Sequence, residues 1–307
     1  MHAMTDLHAT ARGDHLVDVW HGRHRLCRYN TRPLMEEIQG RRPYLHPVST
    51  LGGTVVTEEK HYDHEWHNGI SMTCPWLSGF NFWGGPTYVR GEGYQRLDNL
   101  GQQRQTAIAK VAAGDGRLAW RQSLDWLVPD RIEPLLKEER VLTVGDADPD
   151  TESWALDFDI ALRNTGEAGL LFGSPTTEGR EMAGYGGVFW RGPLAMLHGS
   201  VRTAEGRGGD DQMGVRSPWL AYTAVHAHTG RTATLVFLDH PENVRFPLRW
   251  FVRTQPFPLA SFAFAFDEYL PLDPGRTLQR RHRILVCDGE PSADRIEAWH
   301  AQWLGRT

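Results

Sequence analysis

Cysteine is scarce in this 307-residue chain. The three cysteines, Cys27, Cys74 and Cys287, are far apart and odd in number, which excludes a disulfide framework and a thiolate metal site and favours a reducing interior. Long apolar runs are missing too. The most apolar stretch, Pro258 to Phe266, falls well short of the roughly 18 residues a spanning helix needs, so no membrane partner is expected. The opening M-H-A-M-T-D-L-H lacks the charged and apolar regions of a secretory leader, and the expectation is a soluble, cytoplasmic protein. Lysine and arginine form no stripe, acidic and basic residues are interspersed, and the net charge is −5. That balance argues against a nucleic-acid partner. There is no nucleotide-cofactor signature, no internal repeat of the length that marks a propeller or solenoid, and no Pro-, Gly- or Ser-rich linker. Residues 1–307 therefore read as a single domain.

What is present is β rhythm. Segments of period-2 alternation recur between turn residues, and helical periodicity is rare. Residues 15–29 read as a hairpin turning at His21-Gly22-Arg23. In W-A-L-D-F-D-I-A-L, Trp154, Leu156, Phe158, Ile160 and Leu162 point to one side, with Asp157 and Asp159 expected on a solvated face. Only the end is helical, about residues 291–304, opened by Pro291-Ser292 and closed by Gly305. The expected fold is all-β: a large antiparallel β-sandwich with a C-terminal helix. Its open sheet edges would suit pairing into a homodimer.

The densest chemistry lies in H-Y-D-H-E-W-H-N-G-I, from His61 to Ile70. Three histidines and two carboxylates, Asp63 and Glu65, fall within seven residues. Histidine is readily tuned to exchange protons or bind metal near neutral pH, and an adjacent carboxylate orients it. On a regular strand His64 and His67 would face opposite sides, whereas an irregular loop would let them converge. They are candidate general acid and base, or ligands to a divalent metal, although the H-E-x-x-H spacing of zinc proteases is absent. His61 reads as a surface residue. His46, in Y-L-H-P, is a candidate neighbour of the pair.

Two further stretches bear on a site. S-G-F-N-F-W-G-G-P-T-Y-V-R, from Ser78, would supply an aromatic wall in which Phe82 or Trp83 stacks on a sugar face, its glycines admitting a close approach. F-L-D-H-P-E-N-V-R-F-P-L-R-W-F-V-R, residues 237–253, offers Asp239, His240, Arg245 and Arg253. Arginine there would clamp a carboxylate or sugar oxygens through its planar fork. Residues 204–216 read as a surface loop that would serve as a lid.

Together R-P-Y-L-H-P-V, D-H-E-W-H-N-G-I, F-N-F-W-G, L-L-F-G-S-P-T-T-E-G-R and D-H-P-E-N-V-R-F-P-L-R-W-F-V-R resemble the PmoA family over roughly residues 40–290. Where that family reads H-P-H-H-R-G-L, this chain has His64-Glu65-Trp66-His67-Asn68-Gly69-Ile70, keeping the outer histidines and replacing the middle one. The lack of a spanning helix argues against the methane-oxygenase activity behind that family's name. The resemblance implies a galactose-mutarotase-like supersandwich and a small-molecule sugar as partner. On that reading His64 and His67 do acid–base chemistry with Glu178 or Asp239 as carboxylate partner, and His46, Phe82, Trp83, His240 and Arg253 hold the substrate. The activity would be that of a carbohydrate lyase, hydrolase or epimerase; the competing reading is a non-catalytic sugar-binding protein.

Overall fold

Alternation of apolar and polar side chains accounts for most elements of the computed structural model, which describes residues 7–114 and 116–306. One sheet has eight antiparallel strands in the order Leu7–Arg12, Leu16–His21, His24–Asn30, Tyr44–Val48, Ile70–Thr73, Gly187–Arg191, Leu259–Ala263 and Arg249–Arg253. The other has nine, in the order Gln102–Val111, Leu118–Leu127, Leu136–Asp148, Ser153–Asn164, Thr277–Asp288, Thr232–Asp239, Trp219–Val225, Ser200–Thr203 and Gly206–Gly208. The expected all-β fold with one C-terminal helix is therefore correct, as is the first hairpin.

The sheets share one apolar core. Val188, Trp190, Trp250, Val252, Ala260 and Phe262 of the first meet Trp126, Leu156, Phe158 and Phe237 of the second. Aromatic contacts bridge them, Trp190 to Tyr222 at 5.0 Å and Phe237 to Phe262 at 5.9 Å between ring centroids. Period 2 then sends alternate residues to the outer faces. On the nine-stranded sheet, Ala155, Trp219, Val236 and Leu285 are covered by Ile296 and Trp303 of the helix Ala293–Leu304. That helix starts where Ser292 Oγ accepts a hydrogen bond from Arg295 N at 3.2 Å, an ordinary N-cap. Asp157 is not solvated as expected. Arg283 grips it through Nε at 2.6 Å and Nη2 at 2.8 Å.

The interior also holds charge that alternation places there. In Leu136–Asp148, Glu138 and Arg140 share the inward face with Leu136, Leu142 and Val144, and both are 0% exposed. Glu138 accepts from Arg140 Nε at 2.7 Å and from Trp126 Nε1 at 2.8 Å. Arg140 reaches across to the Tyr29 hydroxyl of the eight-stranded sheet at 3.2 Å and to Gln103 Oε1 at 3.2 Å. Each charged group is partnered, so the network costs little as built and much when broken. Glu138→Ala should lower unfolding stability by about 3–5 kcal/mol, while Glu138→Leu combined with Arg140→Met should stay within about 2 kcal/mol of wild type. Urea titrations of the three proteins check this; a single mutant as stable as the double would count against it.

Candidate functional site

The outer face of the eight-stranded sheet carries a second apolar layer of Trp83, Phe189, Phe251, Leu259, Ala263 and Phe266. Over it opens a cavity of about 460 Å³, within the usual range for small-molecule sites. Its walls are mainly aromatic, with His64 and His67 on one side and Arg180 and Arg253 also on the lining. Among the described residues no Asp or Glu lines it.

The histidines come from the strand His64–Asn68, which pairs with Glu59–His61 across a register shift. The ribbon is irregular, and the two rings converge, stacked with centroids 4.8 Å apart and planes 26° from parallel. The chain leaves this ribbon through Gly69, whose φ is +46° and whose missing Cβ would lie 1.9 Å from the Leu45 carbonyl oxygen. Only glycine permits that approach, which explains the Asn-Gly pair. The Gly69 carbonyl in turn accepts from Arg191 N at 2.8 Å, seating His67 beside the last residue of Gly187–Arg191.

His67 and His64 differ electrostatically. His67 is 4% exposed, and its Nδ1 accepts from Arg191 Nη1 at 3.3 Å. Arginine does not give up its proton, so Nδ1 must carry the lone pair and Nε2 the hydrogen. Burial, with Arg191 adding to it, holds the His67 pKa well below the ordinary histidine value. His67 is therefore a neutral hydrogen-bond donor. Arg191 itself is 0% exposed, lies 4.4 Å over the Phe257 ring, and leaves Nε and Nη2 without partners. Burial depresses its pKa to about 10.

His64 is one-third exposed at the cavity wall. Its Nδ1 is 3.3 Å from Asp63 Oδ2, close enough for electrostatic attraction but without hydrogen-bond alignment. His61, expected at the surface, is partly buried and bonded to the other oxygen of Asp63. Burial lowers the His64 pKa and Asp63 opposes that shift.

A divalent metal does not fit this pair. His67 Nδ1 is occupied by a cationic donor, its Nε2 carries the proton, and no group of three His, Cys, Asp or Glu among the described residues is arranged to hold an ion. The expectation of His64 and His67 as ligands is corrected on that ground.

The aromatic wall is held by Arg42, fully buried without a carboxylate partner. It donates to the carbonyls of Trp66 (2.6 Å), Trp83 (2.8 Å) and Gly40 (2.9 Å) and to Ser71 Oγ at 3.0 Å. The glycines of F-N-F-W-G-G admit a side chain rather than a ligand: a Cβ on Gly85 would sit 2.4 Å from the Trp66 ring. Asn81 Oδ1 accepts from Trp83 N at 2.8 Å and fixes the turn.

Of the residues read from the sequence, His64, His67, Trp83 and Arg253 meet at the cavity. The others do not. Phe82 faces the core, 4.7 Å from Trp126, while the turn that Asn81 fixes by accepting from Trp83 N and Gly84 N sends Trp83 to the cavity. His46 bonds Thr57 Oγ1 at 2.9 Å. Asp239 is buried with Asn243, Arg280 and His282, and His240 packs 5.2 Å from Trp303 of the helix. Glu178 accepts from the Tyr269 hydroxyl beside a separate small pocket. Arg245 donates to the carbonyls of Phe264, Glu268 and Tyr269. No described residue of 204–216 lines the cavity; from this loop Met213 packs against the apolar layer beneath it. Sequence reasoning missed Arg42, Arg180, Arg191, Tyr94, Tyr185 and Phe257. For Arg191 the signal was a charge ending an otherwise apolar strand.

A family described as "Family of unknown function (DUF6807)" matches residues 16–301. The chain belongs to the DUF6807 family. This overturns the resemblance to PmoA, which rested on five short motifs strung over residues 40–290. No curated protein matches this DUF6807 member by sequence. Among solved structures it is similar to the GH36 alpha-galactosidase AgaB from Geobacillus stearothermophilus, with 10% identity, 94% of this chain and 42% of that one covered, and a TM-score of 0.42. It is also similar to a putative aldose 1-epimerase from Klebsiella pneumoniae subsp. pneumoniae MGH 78578, with 10% identity, 97% and 82% covered, and a TM-score of 0.37. The DUF6807 chain thus spans less than half the length of that galactosidase.

The two buried arginines should behave oppositely when neutralised. Arg42→Met strands three carbonyls and a hydroxyl and should lower stability by about 3 kcal/mol or more. Arg191→Met removes a buried charge that has no carboxylate within ion-pair distance among the described residues, so thermal stability should hold or rise. Equal losses in thermal unfolding would refute the distinction.

Proposed function

We propose that the cavity binds a carbohydrate and that the protein is a sugar-transforming enzyme in which His64 moves the proton. The observation that carries this reading is the stacked pair of unlike histidines on an aromatic wall. His67 is fixed as a neutral donor and suits a sugar hydroxyl or carbonyl oxygen. His64 keeps an exposed edge and a carboxylate behind it, and suits abstraction or delivery of a proton. Trp66, Trp83, Tyr185 and Phe257 provide flat apolar surface for the C–H faces of a pyranose.

The acid–base pair foreseen in the sequence, two histidines with Asp239 or Glu178, is replaced in this reading by His64 backed by Asp63. A second proton-transfer group is available in Tyr94, whose hydroxyl is 2.9 Å from that of Tyr185 and accepts from Arg180 Nη1. Paired-carboxylate hydrolysis requires two acids flanking the scissile bond, and this wall carries none. Proton-transfer reactions such as epimerisation, ring opening or elimination suit it better. That same lack of acids favours the second reading, a sugar-binding protein without turnover.

Turnover of a panel of neutral and oxidised mono- and disaccharides, followed by NMR, separates the two. His64→Ala should cut turnover by about 10²-fold or more while changing affinity much less. Binding by wild type with no turnover on any panel member would leave the binding-protein reading. The pH dependence carries a sign. As a base His64 acts when neutral, so activity should rise through a limb centred below the ordinary histidine pKa and then level off. Asp63→Asn removes the charge that favours the protonated ring, so the limb should move to lower pH; movement to higher pH would contradict the assignment.

A further inference from the structure

Among the described residues, neither arginine on the lining of this cavity is ion-paired to a carboxylate. Arg253 lies on the lining, and among the described residues its side chain makes no hydrogen bond or ion pair; its Cζ sits over the Phe251 ring, 5.6 Å from the centroid. Arg180, also on the lining, donates to the Tyr94 hydroxyl and stacks 4.9 Å over that ring, again without a carboxylate. Behind them Arg191 is buried with two nitrogens unpartnered. The nearby acids are turned elsewhere: Asp63 to His61 and His64, Glu178 to Tyr269. The chain as a whole carries −5, so a wall with two unpaired guanidiniums and no acid inverts the protein's overall charge. Low-dielectric aromatic surroundings strengthen the attraction of such a wall for an anion.

We infer that the sugar taken by this cavity is an acidic one, carrying a carboxylate or phosphate oxyanion held by Arg253 and Arg180. The inference rests on the carbohydrate reading above and narrows its substrate class. The guanidinium fork matches either oxyanion through paired N–H donors. Tyr94, hydrogen-bonded to Tyr185 at 2.9 Å, holds Arg180 in place, whereas Arg253 is free to turn onto the ligand. Because the Arg253 side chain makes no hydrogen bond or ion pair among the described residues, its replacement should not disturb folding.

Calorimetric titration with D-glucose, D-glucuronate, D-glucose 6-phosphate and acetate tests this, on wild type, Arg253→Gln and Arg253→Lys, with thermal unfolding as the folding control. At least one anionic sugar should bind about tenfold or more tighter than glucose, the scale of one charge-assisted bond. That preference should vanish in Arg253→Gln and return in part in Arg253→Lys, with unfolding temperatures unchanged. Whether glucuronate or glucose 6-phosphate binds better identifies the oxyanion. Glucose binding as tightly as both anions, or a preference that survives Arg253→Gln, overturns the inference and leaves the carbohydrate reading standing. Acetate binding as tightly as glucuronate, or no binding by any sugar, overturns both.

Discussion

A buried guanidinium with no ion-paired carboxylate among the described residues governs this site. Arg191 ends the strand Gly187–Arg191, sixth of the eight in its sheet, and its side chain rises on the outer face rather than into the shared core. There it donates to His67 Nδ1 and lies over Phe257. One contact thereby sets the tautomer of one histidine, suppresses its protonation and adds positive potential to a cavity already lined by two arginines. It is also costly, since burial drives its pKa down to about 10 and two of its nitrogens find no partner. A protein selected for stability alone would place a hydrocarbon here.

The rest of the architecture makes this arrangement possible by parity. Each central strand sends alternate residues to the shared core and the others outward. One outer face is closed by the C-terminal helix and the other by the aromatic layer under the cavity. Phe251, Arg253 and Leu259 reach the cavity because Trp250, Val252 and Ala260 face the core. The ribbon bearing His64 and His67 lies outside both large sheets, joined through Gly69 to the core strand Ile70–Thr73. Its irregular pairing lets two rings share a side that a regular strand would separate.

Much of this was readable from residues alone, and the failures share a cause. Alternation located the first hairpin and the strand through Trp154, and the Pro291-Ser292 opening with Gly305 located the terminal helix, because those signals are local. The histidine cluster stood out by density, and Arg253 and Trp83 by composition. Phe82 failed on turn geometry: the Asn81 turn sends it to the core and its neighbour Trp83 to the cavity. Asp239 and His240 failed because nothing local says which sheet a strand joins, and theirs is the sheet covered by the helix. The metal reading failed on a residue 124 positions from His67. Arg191 gives no local hint that its fork will meet that ring. Short motifs likewise suggested the PmoA family, where a match spanning residues 16–301 places the chain elsewhere.

The account stands on the two histidines being chemically unlike, and nitrogen-15 NMR of histidine-labelled protein reads this directly. His67 should show a protonated Nε2 and an acceptor Nδ1, and stay neutral as pH falls through the range where free histidine titrates, while His64 titrates below its ordinary pKa. In Arg191→Met the His67 resonances should begin to titrate at higher pH. A His67 that titrates near 6.5 in the wild type, or carries its proton on Nδ1, would contradict the account.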